Sequence, residues 1–174
     1  MERDCQMRSA RLTYRPLAGA DASRVAALVG DWDIARMTSR IPHPYSLVDA
    51  DLWIASLGVD EFVRGVELDG ALIGAVGYIE GKSGEAEIGY WIGKPFWNRG
   101  YATEAAIAVI RFGFASLDLN RIASRHFSRN PASGRVMQKA GLRHEGTARQ
   151  SMIKWGKYED LQLYAILRED WSGP

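Results

Sequence analysis

Hydrophobic positions along the 174-residue chain change their period several times, and each change predicts an element. Leu12-Thr13-Tyr14-Arg15 reads as a short strand that Pro16 ends. The alanine- and valine-rich run from Asp21 to Val29 predicts a helix with Asp21 as its cap, and a second helical stretch is expected near Asp33 to Thr38. Two prolines keep Ile41-Pro42-His43-Pro44-Tyr45 extended. Ser46 then offers a cap for a helix to about Leu57, with Leu47, Ala50, Trp53, Ile54 and Leu57 at helical spacing.

From Glu61 the period drops to two. The runs 62–68 and 71–78 flank Asp69-Gly70, a strong hairpin signal. After a turn at Gly81-Lys82-Ser83-Gly84, a third strand alternates Ala86, Ile88, Tyr90 and Ile92 with Glu85, Glu87, Gly89 and Trp91. Ala102, Ala105, Ala106, Val109, Ile110, Gly113, Phe114 and Leu117 then define one apolar helix face. A strand over 121–127, a helix over 131–140 closed by Gly141, and two strands around a turn at Gly156 complete the order. The expected fold is an α/β (α+β) sandwich around a central mixed, mostly antiparallel sheet flanked by helices, with residues 1–174 as one domain.

Charge narrows the function. Twenty-two basic residues against twenty-one acidic ones leave a formal net charge of +1, so no global field favours nucleic acid or a membrane surface. Cys5 is the only cysteine, which excludes an internal disulfide and a cysteine-rich zinc site. His43, His126 and His144 are scattered without metal-ligand spacing, so no metal is expected. No apolar stretch is long enough to span a bilayer, and the polar opening residues lack a signal-peptide core; a cytoplasmic location is the expectation. The terminal strands could pair with a second copy, as a homodimer.

The chemistry concentrates in Pro95-Phe96-Trp97-Asn98-Arg99-Gly100-Tyr101-Ala102-Thr103-Glu104, which joins a strand to the alanine-faced helix. Helix N-termini carry N–H groups without internal partners and a partial positive charge, so a glycine-containing loop there suits a phosphate. The plainer reading is a turn hinged at Gly100. Gly81-Lys82-Ser83 imitates the end of a P-loop, but Val76 stands where its first glycine is required and no helix follows. No dinucleotide fingerprint, nucleophile elbow or H-E-x-x-H helix is present.

Gly89-Tyr90-Trp91-Ile92 followed by Trp97-Asn98-Arg99-Gly100-Tyr101-Ala102-Thr103-Glu104-Ala105 resembles the GNAT acetyltransferases, most closely their RimJ/RimL-like branch. Asn130-Pro131-Ala132-Ser133, with Val136, Lys139 and Gly141-Leu142, looks like that branch's second signature, and Tyr158, Asp160 and Tyr164-Ala165-Ile166-Leu167 like its ending. The resemblance implies an N-acetyltransferase that binds acetyl-CoA and passes its acetyl group to a primary amine, on a protein N-terminus or a small molecule, without an acyl-enzyme. It implies that the loop from Trp97 through Thr103 (Asn98, Arg99, Gly100, Tyr101 and Ala102 included) grips the pyrophosphate. Trp97 departs from the family's opening Gln/Arg. Backbone groups of Trp91, Ile92 and Gly93 are expected to pair with the pantetheine arm, joined by the Asn130 amide, although Asn-Pro is also an ordinary turn opener.

Glu87 is the candidate base, a carboxylate desolvated beside the thioester; a solvated strand face is the simpler alternative. Ser133 is the candidate donor to the departing thiolate, or a helix cap, because Met137 stands where many relatives carry tyrosine. Trp32, Pro42, His43 and Tyr45 fall where the family's acceptor pocket draws its residues. A non-catalytic acyl-CoA-binding domain is the rival from another class.

Overall fold

The computed structural model describes residues 7–58, 61–81 and 84–173; Cys5 and the Lys82-Ser83 turn lie outside them. One eight-stranded sheet organises the chain: β1 (Met7–Arg8), β2 (Thr13–Arg15), β3 (Glu61–Leu68), β4 (Ala71–Glu80), β5 (Glu85–Ile92), β6 (Arg121–Phe127), β7 (Arg143–Lys154) and β8 (Lys157–Leu167). Their spatial order is β1-β2-β3-β4-β5-β6-β8-β7. Every pair is antiparallel except β5–β6, whose register runs only over Glu85–Arg121, Ala86–Ile122 and Glu87–Ala123. The β3–β4 turn uses Asp69 at φ 50° and Gly70 at φ 79°, and the β7–β8 turn uses Trp155 at φ 48° and Gly156 at φ 76°. Both pairs have the two positive φ angles that match the twist of a hairpin.

Helices cover both faces. On one, α4 (Tyr101–Ser116) and α5 (Pro131–Lys139) pack against the even-numbered residues of β5 and β6. Val109 and Ile110 of α4 and Ile122 of β6 are fully buried there, each such side chain contributing about 1.5–3 kcal/mol of apolar transfer free energy. On the other face, Val25 and Val29 of α1 (Ala22–Val29) and Ala50 of α3 (Leu47–Ser56) close over Leu72 and Trp91. α3 starts as expected: Ser46 and Asp49 form a reciprocal capping box.

Two local expectations need correction, and one element was not expected. Asp21 stands at the N-cap position of α1 but makes no side-chain cap bond to it; its carboxylate instead binds the Arg15 guanidinium at 2.7 and 2.8 Å and accepts from Ala18 N–H. The second helical stretch contracts to one turn, α2 (Trp32–Ala35), capped by Asp31. β1 had no sequence signal, since two residues are too few to alternate.

Candidate active site

Past Glu87 and Ala123, β5 and β6 stop pairing, and just beyond that point Ser124 Oγ donates to Ile88 O at 3.1 Å. The wedge between them opens toward the N-terminus of α4. There Gly100 holds φ 81°, the left-handed region that favours glycine. The first helical bond runs from Glu104 N–H to Gly100 O at 3.0 Å, so the amides of Tyr101, Ala102 and Thr103 have no acceptor within the helix. Asn98 also has positive φ, 61°. These two residues turn the loop sharply, and Asn98 and residues 100–103 line the same cleft as the separating ends of β5 and β6.

An unforeseen brace fixes this loop. Arg11, in the β1–β2 turn, donates from Nη1 to Arg99 O (3.0 Å) and from Nε to Glu104 Oε2 (2.7 Å), and lies over the Tyr101 ring at 4.6 Å. Glu104 also accepts from Ser9 Oγ (2.6 Å) and Arg11 N–H (2.7 Å). Burial pushes the Glu104 carboxyl up, but these hydrogen bonds outweigh it and hold the group below the ordinary glutamate value.

Trp97 shows what its departure from Gln/Arg accomplishes. Its indole Nε1 donates to Ile92 O at 2.6 Å, tying the loop to the end of β5. Strand parity sorts the three backbone positions expected to meet pantetheine. Gly93 N–H donates to Ile73 O at 2.8 Å, and Trp91 O faces β4 against Gly74. Of the three, only Ile92 turns its backbone toward the wedge, and Tyr90, two residues before it, has the same parity.

Glu87 and Ser133 flank the wedge from opposite faces. Glu87 is less desolvated than expected: its side chain is 42 % exposed and accepts from Arg125 Nε at 2.9 Å. Alternation reports which face a strand residue takes, not its depth. Ser133, in the first turn of α5, has its Oγ 2.9 Å from the Tyr90 phenol oxygen. The Asn130 side chain is engaged within the protein, its Oδ1 accepting from Ser133 N–H and its Nδ2 donating to Met37 O, both at 3.3 Å. A single cleft of about 1220 Å³ joins Glu87, Trp91, Ile92, Asn130 and Ser133 to Trp97, Asn98 and the 100–103 turn. Gly93 and Arg99 do not line it.

The chain matches the family model of the acetyltransferase (GNAT) domain over residues 11–143. It belongs to the GNAT acetyltransferase family. It is 30% identical over 172 residues to YdaF of Bacillus subtilis, a protein provisionally named a ribosomal N-acetyltransferase, covering 93% of this chain and 94% of that one. A GNAT-family acetyltransferase from Bacillus anthracis superposes with a TM-score of 0.86 at 27% identity, covering 95% of this chain and 99% of the other. RimL, a ribosomal L7/L12 α-N-protein acetyltransferase solved with coenzyme A, shares the fold with a TM-score of 0.84 at 18% identity, covering 94% and 98%.

In this GNAT domain another wall of the cleft, lined by residues 36–41, is stitched together by residues that sequence reasoning passed over. Lys154, only 7% exposed, donates from Nζ to Ile41 O at 2.5 Å and lies 3.4 Å from Ser39 O. Burial holds its ammonium below the ordinary lysine value, and nearby Arg129 adds to the effect. Arg129 donates to Arg36 O. The β7–β8 hairpin and the 36–41 segment therefore form one wall. Outside it, Trp32 stacks on Trp155 at 4.7 Å with His43 edge-on at 5.0 Å. Pro42, Tyr45 and Trp53 line the cleft, whereas Trp32 and His43 do not. His126 is buried, and burial holds its ring below the ordinary histidine value. Among the described residues no cluster of three or more His, Cys, Asp or Glu is placed to hold a metal, and no helix is long and apolar enough to cross a membrane.

Proposed function

We propose that this acetyltransferase moves the acetyl group of acetyl-CoA to a primary amine, on a protein N-terminus or a small molecule, by direct attack within a ternary complex. The observation that carries this reading is the wedge between β5 and β6, opening onto the unpaired amides at the mouth of α4 in a chain of this family. The cosubstrate fits what is present. A diphosphate meets the amides of residues 101–103 and the helix dipole, and a pantetheine arm takes the place of the missing strand neighbour along Tyr90 and Ile92. Ile92 O already accepts from the Trp97 indole and has a second lone pair for a donor on the ligand.

Chemistry then falls between two faces. From the side of α1 and α3, Glu87 takes the proton of the attacking amine, directly or through a water. Arg125 Nε binds one carboxylate oxygen, and a carboxylate has lone pairs to spare for that proton. From the side of α5, Ser133 donates to the sulfur as the C–S bond breaks. Holding amine and thioester together supplies a large part of the rate, up to about 7–11 kcal/mol in well-oriented systems.

The test is release of free coenzyme A from acetyl-CoA with a panel of N-terminal peptides, polyamines, amino acids and aminoglycosides. Saturable, acceptor-dependent release is expected. Tight acetyl-CoA binding without release from any acceptor would replace this reading with a non-catalytic acyl-CoA-binding domain.

A further inference from the structure

Beside Ser133 stands a second hydroxyl to which nothing above gives a task. The Tyr90 phenol oxygen lies 2.9 Å from Ser133 Oγ and 3.1 Å from Ser133 O. The phenol has one hydrogen for these two acceptors, and Ser133 has one of its own. Two arrangements satisfy the group. In the first, Tyr90 donates to Ser133 O while Ser133 Oγ–H donates back to the phenol, so the serine hydrogen is turned away from the wedge. In the second, Tyr90 donates to Ser133 Oγ, and the serine hydrogen is left pointing outward. An anion arriving beside Ser133 selects the second, because it supplies the acceptor that this arrangement lacks.

We propose that Tyr90 is a positioning residue that fills the Ser133 Oγ lone pair and thereby commits the serine hydrogen to the departing thiolate. The inference rests on the acetyl-transfer reading with Ser133 beside the sulfur. In the step itself, the amine nitrogen forms the C–N bond and the C–S bond breaks, its electron pair going to sulfur. The amine's surplus proton passes to Glu87 or water. The sulfur leaves as a thiolate hydrogen-bonded by Ser133 and takes its proton from solvent. No proton leaves Tyr90.

Two features fit this division of labour. Burial pushes the Tyr90 phenol above the ordinary tyrosine value, and the Ser133 hydrogen bond reverses only part of that, so Tyr90 stays protonated and acts as a donor through the neutral range. The first turn of α5 is also held close. A Cβ on Gly134 would lie 2.7 Å from His126 Nε2 and 3.2 Å from the Tyr164 hydroxyl, and Asn130 Oδ1 caps Ser133 N–H. The Ser133 backbone therefore cannot shift away from Tyr90 without moving the helix.

The experiment compares wild type, Tyr90→Phe, Ser133→Ala and the double variant by steady-state kinetics, with acetyl-CoA affinity measured by calorimetry. Tyr90→Phe is expected to lower kcat about tenfold with acetyl-CoA affinity within about twofold. The double variant is expected to be no slower than Ser133→Ala alone, since Tyr90 acts only through that hydroxyl. Undiminished kcat in Tyr90→Phe, or losses that multiply in the double variant, overturns the inference while leaving the acetyl-transfer reading intact. Full turnover in Ser133→Ala removes the donor assignment and this inference together, and a wild type without acceptor-dependent turnover removes the reading itself. A measurement on the unmutated protein guards against a variant that does not fold: with ring-labelled tyrosine, the Tyr90 Cζ resonance should move when coenzyme A binds. An unmoved resonance counts against the proposal.

Discussion

Replacing Arg11 by alanine removes three contacts, to Arg99, Tyr101 and Glu104, from the turn that opens α4 while leaving that turn's own sequence untouched. The guanidinium is 47 % exposed, so its ion pair with Glu104 is partly screened and contributes about 0.2–1 kcal/mol. The bond to Arg99 O adds about 0.5–1.5 kcal/mol and the stacking on Tyr101 about 0.5–1 kcal/mol. These contacts share one side chain and do not add fully, which puts the loss near 1–2 kcal/mol. Glu104 is not orphaned, because Ser9 Oγ and Arg11 N–H still donate to it. Melting should therefore fall by only about 2–8 °C. The larger expected effect is on binding. A loop that must order as the diphosphate arrives loses affinity by the free energy that formerly held it, about 5- to 30-fold in Kd for acetyl-CoA. Calorimetric titration of wild type, Arg11→Ala and Arg11→Lys checks this, with lysine keeping charge but not the forked geometry and falling between the other two. An unchanged Kd in Arg11→Ala would refute the claim that the loop is pre-organised from β1–β2.

Gly100→Val places a β-branched residue at φ 81° and adds bulk where Arg11 already lies 3.4 Å from a Cβ, so acetyl-CoA binding should be lost by calorimetry while the circular dichroism spectrum stays folded. Glu87→Gln should lower kcat at least tenfold with acetyl-CoA affinity unchanged; a full rate removes Glu87 as the base. Because Glu104 is held below its ordinary value of 4.5, its contribution to stability is fully present above that pH and lost as pH falls through the lowered folded-state value. The melting-temperature gap between wild type and Glu104→Gln should then close in acid, and a gap that is constant down to pH 3 contradicts the assignment.

Much of this architecture was legible because its signals are local. Alternation over 85–92 assigned Glu87 and Trp91 to one face and Ile88, Tyr90 and Ile92 to the other, and the Asp69-Gly70 and Gly156 turns announced their hairpins. What the sequence concealed joins distant positions. Arg11 reaches Glu104 across 93 residues, Lys154 reaches Ile41 across 113, and Tyr90 meets Ser133 across 43. None of these pairings has a period, and each depends on β8 inserting between β6 and β7, on β1 crossing to α4, or on the wedge itself. Arg125 is a partial exception. Alternation along β6 places it on the Glu87 face, so the ion pair could have been expected once β5 and β6 were known to be neighbours.

Lys154 illustrates why this wall of the cleft resists prediction. It sits in a largely exposed strand beside a turn, where any reading of composition assigns a lysine to solvent. Burial follows only because the 36–41 segment, short of regular structure after the single turn of α2, presents the Ser39 and Ile41 carbonyls to it. Those carbonyls need donors, and a buried ammonium needs acceptors. Neither half is stable in that position alone, so the segment and the hairpin are fixed together or not at all. The shape of this side of the cleft therefore belongs to a long-range pairing, and changes in these two segments can reshape the cleft while the fold is kept.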